Sequence, residues 1–179
     1  QIQFSCFTDA LEAVKRAGIE PGICHCANSA ATLDLPETHL DMVRPGIIVY
    51  GYGADEVDEA YLSQKGTPIH LKPVMTLETE VCAIRPIKRG MTVGYGRTWK
   101  AEVDTALAVL PIGYGDGLLR HFAQSGLEVA INGQAYPVRG RICMDQCMVE
   151  IGKDNTNVQR FDKAVIFGNP EDGALQTAD

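Results

Sequence analysis

The stretch Leu127-Glu128-Val129-Ala130-Ile131-Asn132-Gly133-Gln134-Ala135-Tyr136-Pro137-Val138 decides the character of the C-terminal half. Two β-favouring runs flank Asn-Gly, the pair that supplies the positive φ values of a type I′ turn, so the segment predicts a β-hairpin. Outward from it, residues 105–111 form a nearly continuous β-favouring run, and 148–151 and 164–167 read as further strands. Residues 71–83 mostly alternate apolar with polar. Past Pro68 no run predicts a helix longer than about two turns, because glycine and proline interrupt each candidate.

Toward the N terminus the pattern changes. Phe4, Phe7, Leu11, Val14 and Ala17 recur at helical spacing, with Gly18 as the stop. Residues 23–27 read as a short strand, Asn28-Ser29 caps a helical run over 30–33, and 42–44 lead through Pro45-Gly46 into the apolar 47–50. Helix, strand, helix, strand is the alternation of a parallel sheet. The acidic stretch 51–66 reads as a linker or a variable helix. The expected fold class is α/β followed by mainly β, with domains at 1–67 and 68–179.

Composition narrows the function classes. A chain of 179 residues, 45% hydrophobic and 22% charged, with 18 Gly and 9 Pro, is neither disordered nor collagen-like. A net charge of −7 disfavours nucleic acid or an anionic membrane as partner, while leaving room for a local cationic pocket. The longest apolar runs, 46–50 and 106–112, fall far short of the ~20 residues of a membrane-spanning helix. No signal-peptide or lipidation pattern opens the chain, which starts at Gln1 and stops at Asp179; it reads as a piece of a longer polypeptide. The six cysteines are too sparse for a disulfide scaffold. Neither Cys24-His25-Cys26 nor Cys143-x-x-x-Cys147 has the spacing of a zinc site. Reduced, structural thiols and a cytoplasmic location are the expectation.

Four segments are candidates for chemistry. In His25-Cys26-Ala27-Asn28-Ser29-Ala30-Ala31 a strand end runs into a helix start, where free N–H groups and a serine hydroxyl suit a phosphate. A plain N-cap is the simpler local reading. In Met42-Val43-Arg44-Pro45-Gly46-Ile47, Gly46 permits close backbone approach and Arg44 can reach an anion or a ring nitrogen, or else is a surface arginine before a turn. In Val93-Gly94-Tyr95-Gly96-Arg97-Thr98-Trp99 the tyrosine is poorly placed for packing and well placed for presentation. With Arg97 to favour its phenolate it would serve as a general acid or base; an aromatic rescuing a glycine bend is the alternative. Finally, residues 111–120 and 138–146 set glycines beside Tyr114, Arg120, Arg139 and Arg141. Each reads alone as a turn with a solvated charge, and together they suit a small carboxylate.

These motifs, in this order, resemble the fold-type III, pyridoxal-phosphate-dependent alanine racemases. The likeness runs through residues 25–30, 42–47, Gly94-Tyr95-Gly96, 111–117 and 140–146 and covers about residues 20–170. It implies that the chain holds the last units of an N-terminal (β/α)8 barrel plus most of a C-terminal β domain. It also implies pyridoxal 5′-phosphate as cofactor, alanine as substrate, D-alanine supply for peptidoglycan, and a homodimer with shared sites. Tyr95 matches the family's tyrosine base, which reaches into the partner subunit's site. Ser29 matches the residue that binds the cofactor phosphate, with Gly46 and Ile47 offering backbone N–H groups. Arg44 matches the arginine facing the pyridine nitrogen, which it leaves largely unprotonated. Met144 matches the residue whose N–H meets the substrate carboxylate, and Tyr114, Arg120 and Arg141 match the entrance.

The departures are specific. No lysine of the chain, Lys88 and Lys100 included, has the surroundings of the family's cofactor-bearing lysine, so the 179 residues alone are expected to be inactive. The histidine that orients the tyrosine and the arginine at the cofactor's phenolic oxygen are expected upstream. A serine or serine/alanine racemase of the same fold, and a non-catalytic binding or assembly β domain, are the alternative readings. The first 65 or so residues are expected to be poorly packed by themselves.

Overall fold

The expected hairpin belongs to an antiparallel system of nine short strands, as seen in a computed structural model that describes residues 2–54 and 56–177. In chain order they are β1 (Leu77–Glu80), β2 (Ala83–Ile87), β3 (Thr92–Val93), β4 (Trp99–Lys100), β5 (Thr105–Leu110), β6 (Glu128–Ile131), β7 (Gln134–Arg139), β8 (Cys147–Glu150) and β9 (Lys163–Phe167). The β6–β7 turn has Asn132 at φ 50° and Gly133 at φ 76°, as a type I′ turn requires. Residues 71–76, read as part of an alternating run, stay outside any strand.

Seven strands share one sheet in the order β1-β9-β6-β7-β8-β5-β2, and β3 pairs with β4 in a separate ribbon. The two ends of the sheet, β1 and β2, are separated only by Val81 and Cys82. One bent segment thus pairs with β9 through its first half and with β5 through its second, and the sheet curls back on itself. At the bend, Val81 N–H donates to Asp162 O at 2.9 Å and Cys82 N–H to Val109 O at 2.9 Å. Such closure leaves little unpaired edge. Alternate residues point inward. Ala108, Leu110, Val129, Ile131, Tyr136, Val138, Cys147, Val149, Ala164 and Ile166 all join one buried cluster. Each large apolar side chain so buried contributes about 1.5–3 kcal/mol. The Tyr136 hydroxyl inside it is satisfied, donating to Gln134 Oε1 at 3.0 Å and accepting from Asn155 and Asn157 Nδ2 at 3.2 Å.

The chain divides into two compact units, one up to Val74 and one from Met75. The first holds α1 (Ile2–Arg16), α2 (Ser29–Asp34) and α3 (Glu59–Lys65). Helix α1 ends as predicted, with Ile19 N–H donating to Val14 O at 3.2 Å and Gly18 N–H to Lys15 O at 3.0 Å, but it buries no residue. Within the acidic stretch α3 is the helical alternative. Asp58 caps it, and Asp34 accepts from Lys65 Nζ at 2.5 Å and from Tyr61 OH at 3.1 Å. The Lys65 ammonium holds the Asp34 carboxyl below its ordinary range.

Two expected strands of this unit do not form. Residues 23–27 are extended, with Asp41 N–H donating to Cys24 O at 3.1 Å and Arg44 N–H to Ala27 O at 2.9 Å. Two bonds three residues apart do not complete a ladder, and a parallel strand needs neighbours to complete it. The apolar Ile47–Tyr50 is a 3-10 helix instead of a strand, with Ile47, Val49 and Tyr50 exposed. Among the described residues only Ala27, Tyr52, Ala54 and Leu62 give this unit a buried apolar core. No described helix is long and apolar enough to cross a membrane.

Candidate functional site

The sequence candidates fall into two sets, one in each unit. In the first unit Asn28 is the N-cap of α2, its Oδ1 accepting from Ala31 N–H at 3.0 Å. Capping therefore accounts for Asn28 and leaves Ser29, which is buried, for something else. Its Oγ accepts from Gly46 N–H at 2.7 Å, pinning the turn before the 3-10 helix to the start of α2. The Gly46 amide thus points at Ser29, where the sequence reading had it facing a ligand. Among the described residues the Ile47 N–H has no acceptor. Residues 28–30, Arg44, Gly46 and Ile47 line an open cleft of about 410 Å³.

Arg44 is anchored twice. Its N–H donates to Ala27 O, and its Nη1 lies 2.7 Å from His25 Nδ1. A guanidinium only donates, so His25 Nδ1 is the acceptor of this bond. His25 was quoted in the sequence motif but given no role. The Arg44 N–H bond to Ala27 O lays the 42–47 segment beside 25–30, and that spatial pairing is what brings residues 25 and 44 together.

In the second unit three loops converge. The β3–β4 ribbon carries Tyr95 at its tip, 68% exposed. Gly94 (φ 77°), Gly96 (φ 75°) and Arg97 (φ 52°) all take left-handed backbone around it. Residue 94 lies against the 140–141 loop: a Cβ on Gly140 would sit 2.9 Å from Val93 O, and one on Gly94 would sit 3.0 Å from Arg141 N. Only glycine at both positions allows this backbone crossing. Arg141 Nη1 lies 3.4 Å from where a Cβ on Gly96 would be, so Arg141 is the guanidinium packed on the tyrosine loop. The expected pairing of Arg97 with the phenol has no counterpart among the described contacts.

The second loop, 113–117, lies on the third, 141–146. Tyr114 N–H donates to Cys143 O at 3.0 Å and Gly115 N–H to Met144 O at 2.7 Å. A Cβ on Gly113 would meet Cys143 O at 2.3 Å and Met144 O at 2.5 Å, so this contact also demands glycine. The Arg120 guanidinium sits 4.2 Å from the Tyr114 ring centroid, a cation–π contact worth about 0.5–1 kcal/mol. Met144 is 60% exposed. Arg139, by contrast, pairs Nε with Glu150 Oε2 at 2.7 Å as a sheet ion pair, with its guanidinium 5.9 Å from the Trp99 ring centroid.

Cys143 and Cys147 are buried, as structural thiols are expected to be, whereas Cys6 and Cys82 are exposed. Burial pushes the Cys147 thiol up to about 12 and raises Cys143 also. No group of His, Cys, Asp or Glu among the described residues is arranged to hold a metal.

A helical unit with a serine–amide cup, followed by a curled antiparallel unit that presents a tyrosine, defines a two-part protein with a mainly β second half. Two family descriptions match this chain: Alanine racemase, C-terminal domain, over residues 74–179 and Alanine racemase, N-terminal domain, over 1–54. The chain belongs to the alanine racemase family. It is 48% identical over 166 residues to an alanine racemase of Treponema denticola, covering 93% of this chain and 41% of that protein. With an alanine racemase of Desulfovibrio desulfuricans the identity is 44% over 169 residues, covering 94% and 43%. Among solved structures, the alanine racemase of Streptomyces coelicolor A3(2) superposes with a TM-score of 0.82 at 36% identity, covering 98% of this chain and 44% of that one. The Clostridium difficile 630 alanine racemase in complex with cycloserine gives 0.81 at 36%, covering 93% and 42%. The chain therefore spans less than half the length of these relatives. The family match and the solved relatives bear out the fold class read from the sequence, α/β followed by mainly β, although residues 23–27 and 47–50 of this chain form no strand.

Proposed function

We propose that this chain is the C-terminal part of a pyridoxal-phosphate-dependent alanine racemase that interconverts L- and D-alanine and supplies D-alanine for peptidoglycan. The observation that carries this reading is Tyr95, two-thirds exposed at the tip of a glycine ribbon whose backbone is set by its crossing with Gly140. The first unit, up to Val74, is the barrel remnant, and the second, from Met75, is the β domain.

The cup of the first unit fits a phosphate. Ser29 Oγ accepts from Gly46 N–H, which leaves its own hydroxyl proton to donate, and the Ile47 N–H is available beside it. Arg44, oriented by His25 Nδ1, is the residue that would meet the pyridine nitrogen, and a guanidinium that keeps its protons would leave that nitrogen unprotonated. Bound there, pyridoxal phosphate supplies the electron sink that makes loss of the α-proton feasible.

Racemisation requires a proton to leave one face of Cα and return on the other. The Tyr95 hydroxyl takes or delivers the proton on one face, in the site of a partner subunit, so the active form is a homodimer. A lysine that no segment of this chain matches serves the other face. The Met144 N–H receives the substrate carboxylate, and Tyr114, Arg120 and Arg141 line the entrance, selecting a small anion. The protein acts in the cytoplasm.

The test is turnover by the complete polypeptide with L-alanine and with L-serine. Faster racemisation of alanine supports the proposal; preference for serine, or no turnover of either, overturns it. The 179-residue chain alone, given one equivalent of pyridoxal phosphate, is expected to show no saturable visible absorbance band, and such a band would contradict the missing lysine.

A further inference from the structure

Asp116 sits in the 113–117 turn without touching the residues assigned above, yet the turn depends on it. Its Oδ2 accepts from the N–H of buried Gly113 at 2.9 Å, and its own N–H returns to Gly113 O at 3.1 Å. Leu118 N–H also donates to Gly113 O, at 3.1 Å, and Gly117 N–H donates to Tyr114 O at 3.3 Å. The carboxylate thus closes a tight turn in which two successive N–H groups, those of Tyr114 and Gly115, point at Cys143 O and Met144 O.

That grip has a consequence on the far side of one peptide bond. Cys143 C=O and Met144 N–H belong to the same planar trans unit and point in opposite directions. Holding the carbonyl on Tyr114 N–H therefore aims the Met144 N–H away from the turn. Among the described residues that N–H has no acceptor, and the Met144 side chain is exposed beside it. Cys143 N–H, donating to Gln146 O at 2.9 Å, fixes the loop from its other end. An amide held in direction and left without a partner is ready for an anion.

We infer that Asp116 is a positioning residue, which locks the glycine turn and through it the Cys143–Met144 peptide that receives the substrate carboxylate. The inference rests on the proposed role of the Met144 N–H. A carboxylate contact is the same in ground and transition states, so loosening it raises KM and leaves kcat in place.

Two measurements on Asp116→Ala and Asp116→Asn separate the outcomes. Amide hydrogen exchange on the 179-residue chain reads the lock itself. Asp116→Ala is expected to speed exchange at Tyr114 and Gly115 roughly tenfold, the effect of one lost hydrogen bond, and Asp116→Asn, whose Oδ1 still accepts, to restore it. In the complete polypeptide, Asp116→Ala is expected to raise KM for alanine about tenfold with kcat little changed, again rescued by Asn. Unchanged exchange overturns the lock. Faster exchange with unchanged KM overturns the proposal at its other end, because it shows that the Met144 N–H does not receive the carboxylate. Should Asp116→Ala fail to fold, Asp116→Gln, which keeps an acceptor but displaces it by one carbon, takes its place with the same expectations.

Discussion

The backbone crossing of Gly94 and Gly140 is what sets the tyrosine loop, and Gly140→Ala tests it quantitatively. Gly140 has φ 73°, where an L-residue costs about 1–2 kcal/mol. The new Cβ would also lie 2.9 Å from Val93 O, 3.3 Å from Val93 C and 3.6 Å from Gly94 Cα. All three are backbone atoms, so relief requires moving the β3–β4 ribbon, and overpacking of this kind costs about 1–3 kcal/mol. The expected loss is ~2–5 kcal/mol. Gly152→Ala is the control: Gly152 has φ 85° with nothing within 4 Å, so only the conformational cost of ~1–2 kcal/mol applies. Urea unfolding followed by fluorescence suits this comparison, because the chain has one tryptophan, Trp99, paired with Val93 on the ribbon itself. At a slope of about 2 kcal/mol/M, the Gly140 variant should unfold at a midpoint roughly 0.5–1.5 M below the control. Equal midpoints for the two variants, with unchanged Trp99 emission, would refute the claim that the crossing holds the tyrosine loop.

Other expectations follow from single contacts. Ser29→Ala leaves Gly46 N–H without its acceptor and should cost the first unit about 1–3 kcal/mol, read as faster exchange at Gly46; unchanged exchange would remove Ser29 from the cup. Asn132→Ala loses the left-handed preference of the turn and the Nδ2 bonds to Asn157 O and Asp162 Oδ2, and should lower stability by ~1–3 kcal/mol in chemical denaturation. The Cys147 thiol keeps its proton in the folded state up to about 12, whereas the unfolded chain ionises near 9.0. Above the lower value the unfolded state therefore binds fewer protons, and stability falls as pH rises between the two, by at most ~4 kcal/mol. Cys147→Ala should flatten that alkaline limb in pH-dependent unfolding, although its cavity lowers stability at neutral pH.

The β unit was legible because its signals are local. Asn132-Gly133 specifies its own turn, and the β-favouring runs at 105–111, 148–151 and 164–167 each became a strand. The closure of the sheet through Val81 and Cys82 was not legible, since which strands neighbour one another depends on pairing over long sequence separations. In the first unit, residues 23–27 and 47–50 have strand-like composition, yet composition cannot supply the neighbours that a parallel strand needs. The tyrosine loop was readable from Gly94-Tyr95-Gly96 alone. Its neighbour was not: Arg97 is close in sequence, whereas Arg141, brought in by the Gly94–Gly140 crossing, is close in space. His25 was missed for the same reason, its partner lying nineteen residues on at Arg44.

The proton-transfer role of Tyr95 is tested most directly by racemisation in deuterium oxide, comparing the complete polypeptide with its Tyr95→Phe variant. Removing the hydroxyl should slow racemisation by about 10²–10⁴-fold, the range for a lost general acid or base, while α-hydrogen exchange persists from one enantiomer only. Racemisation within a few-fold of the parent, or equal loss of exchange from both enantiomers, would contradict it.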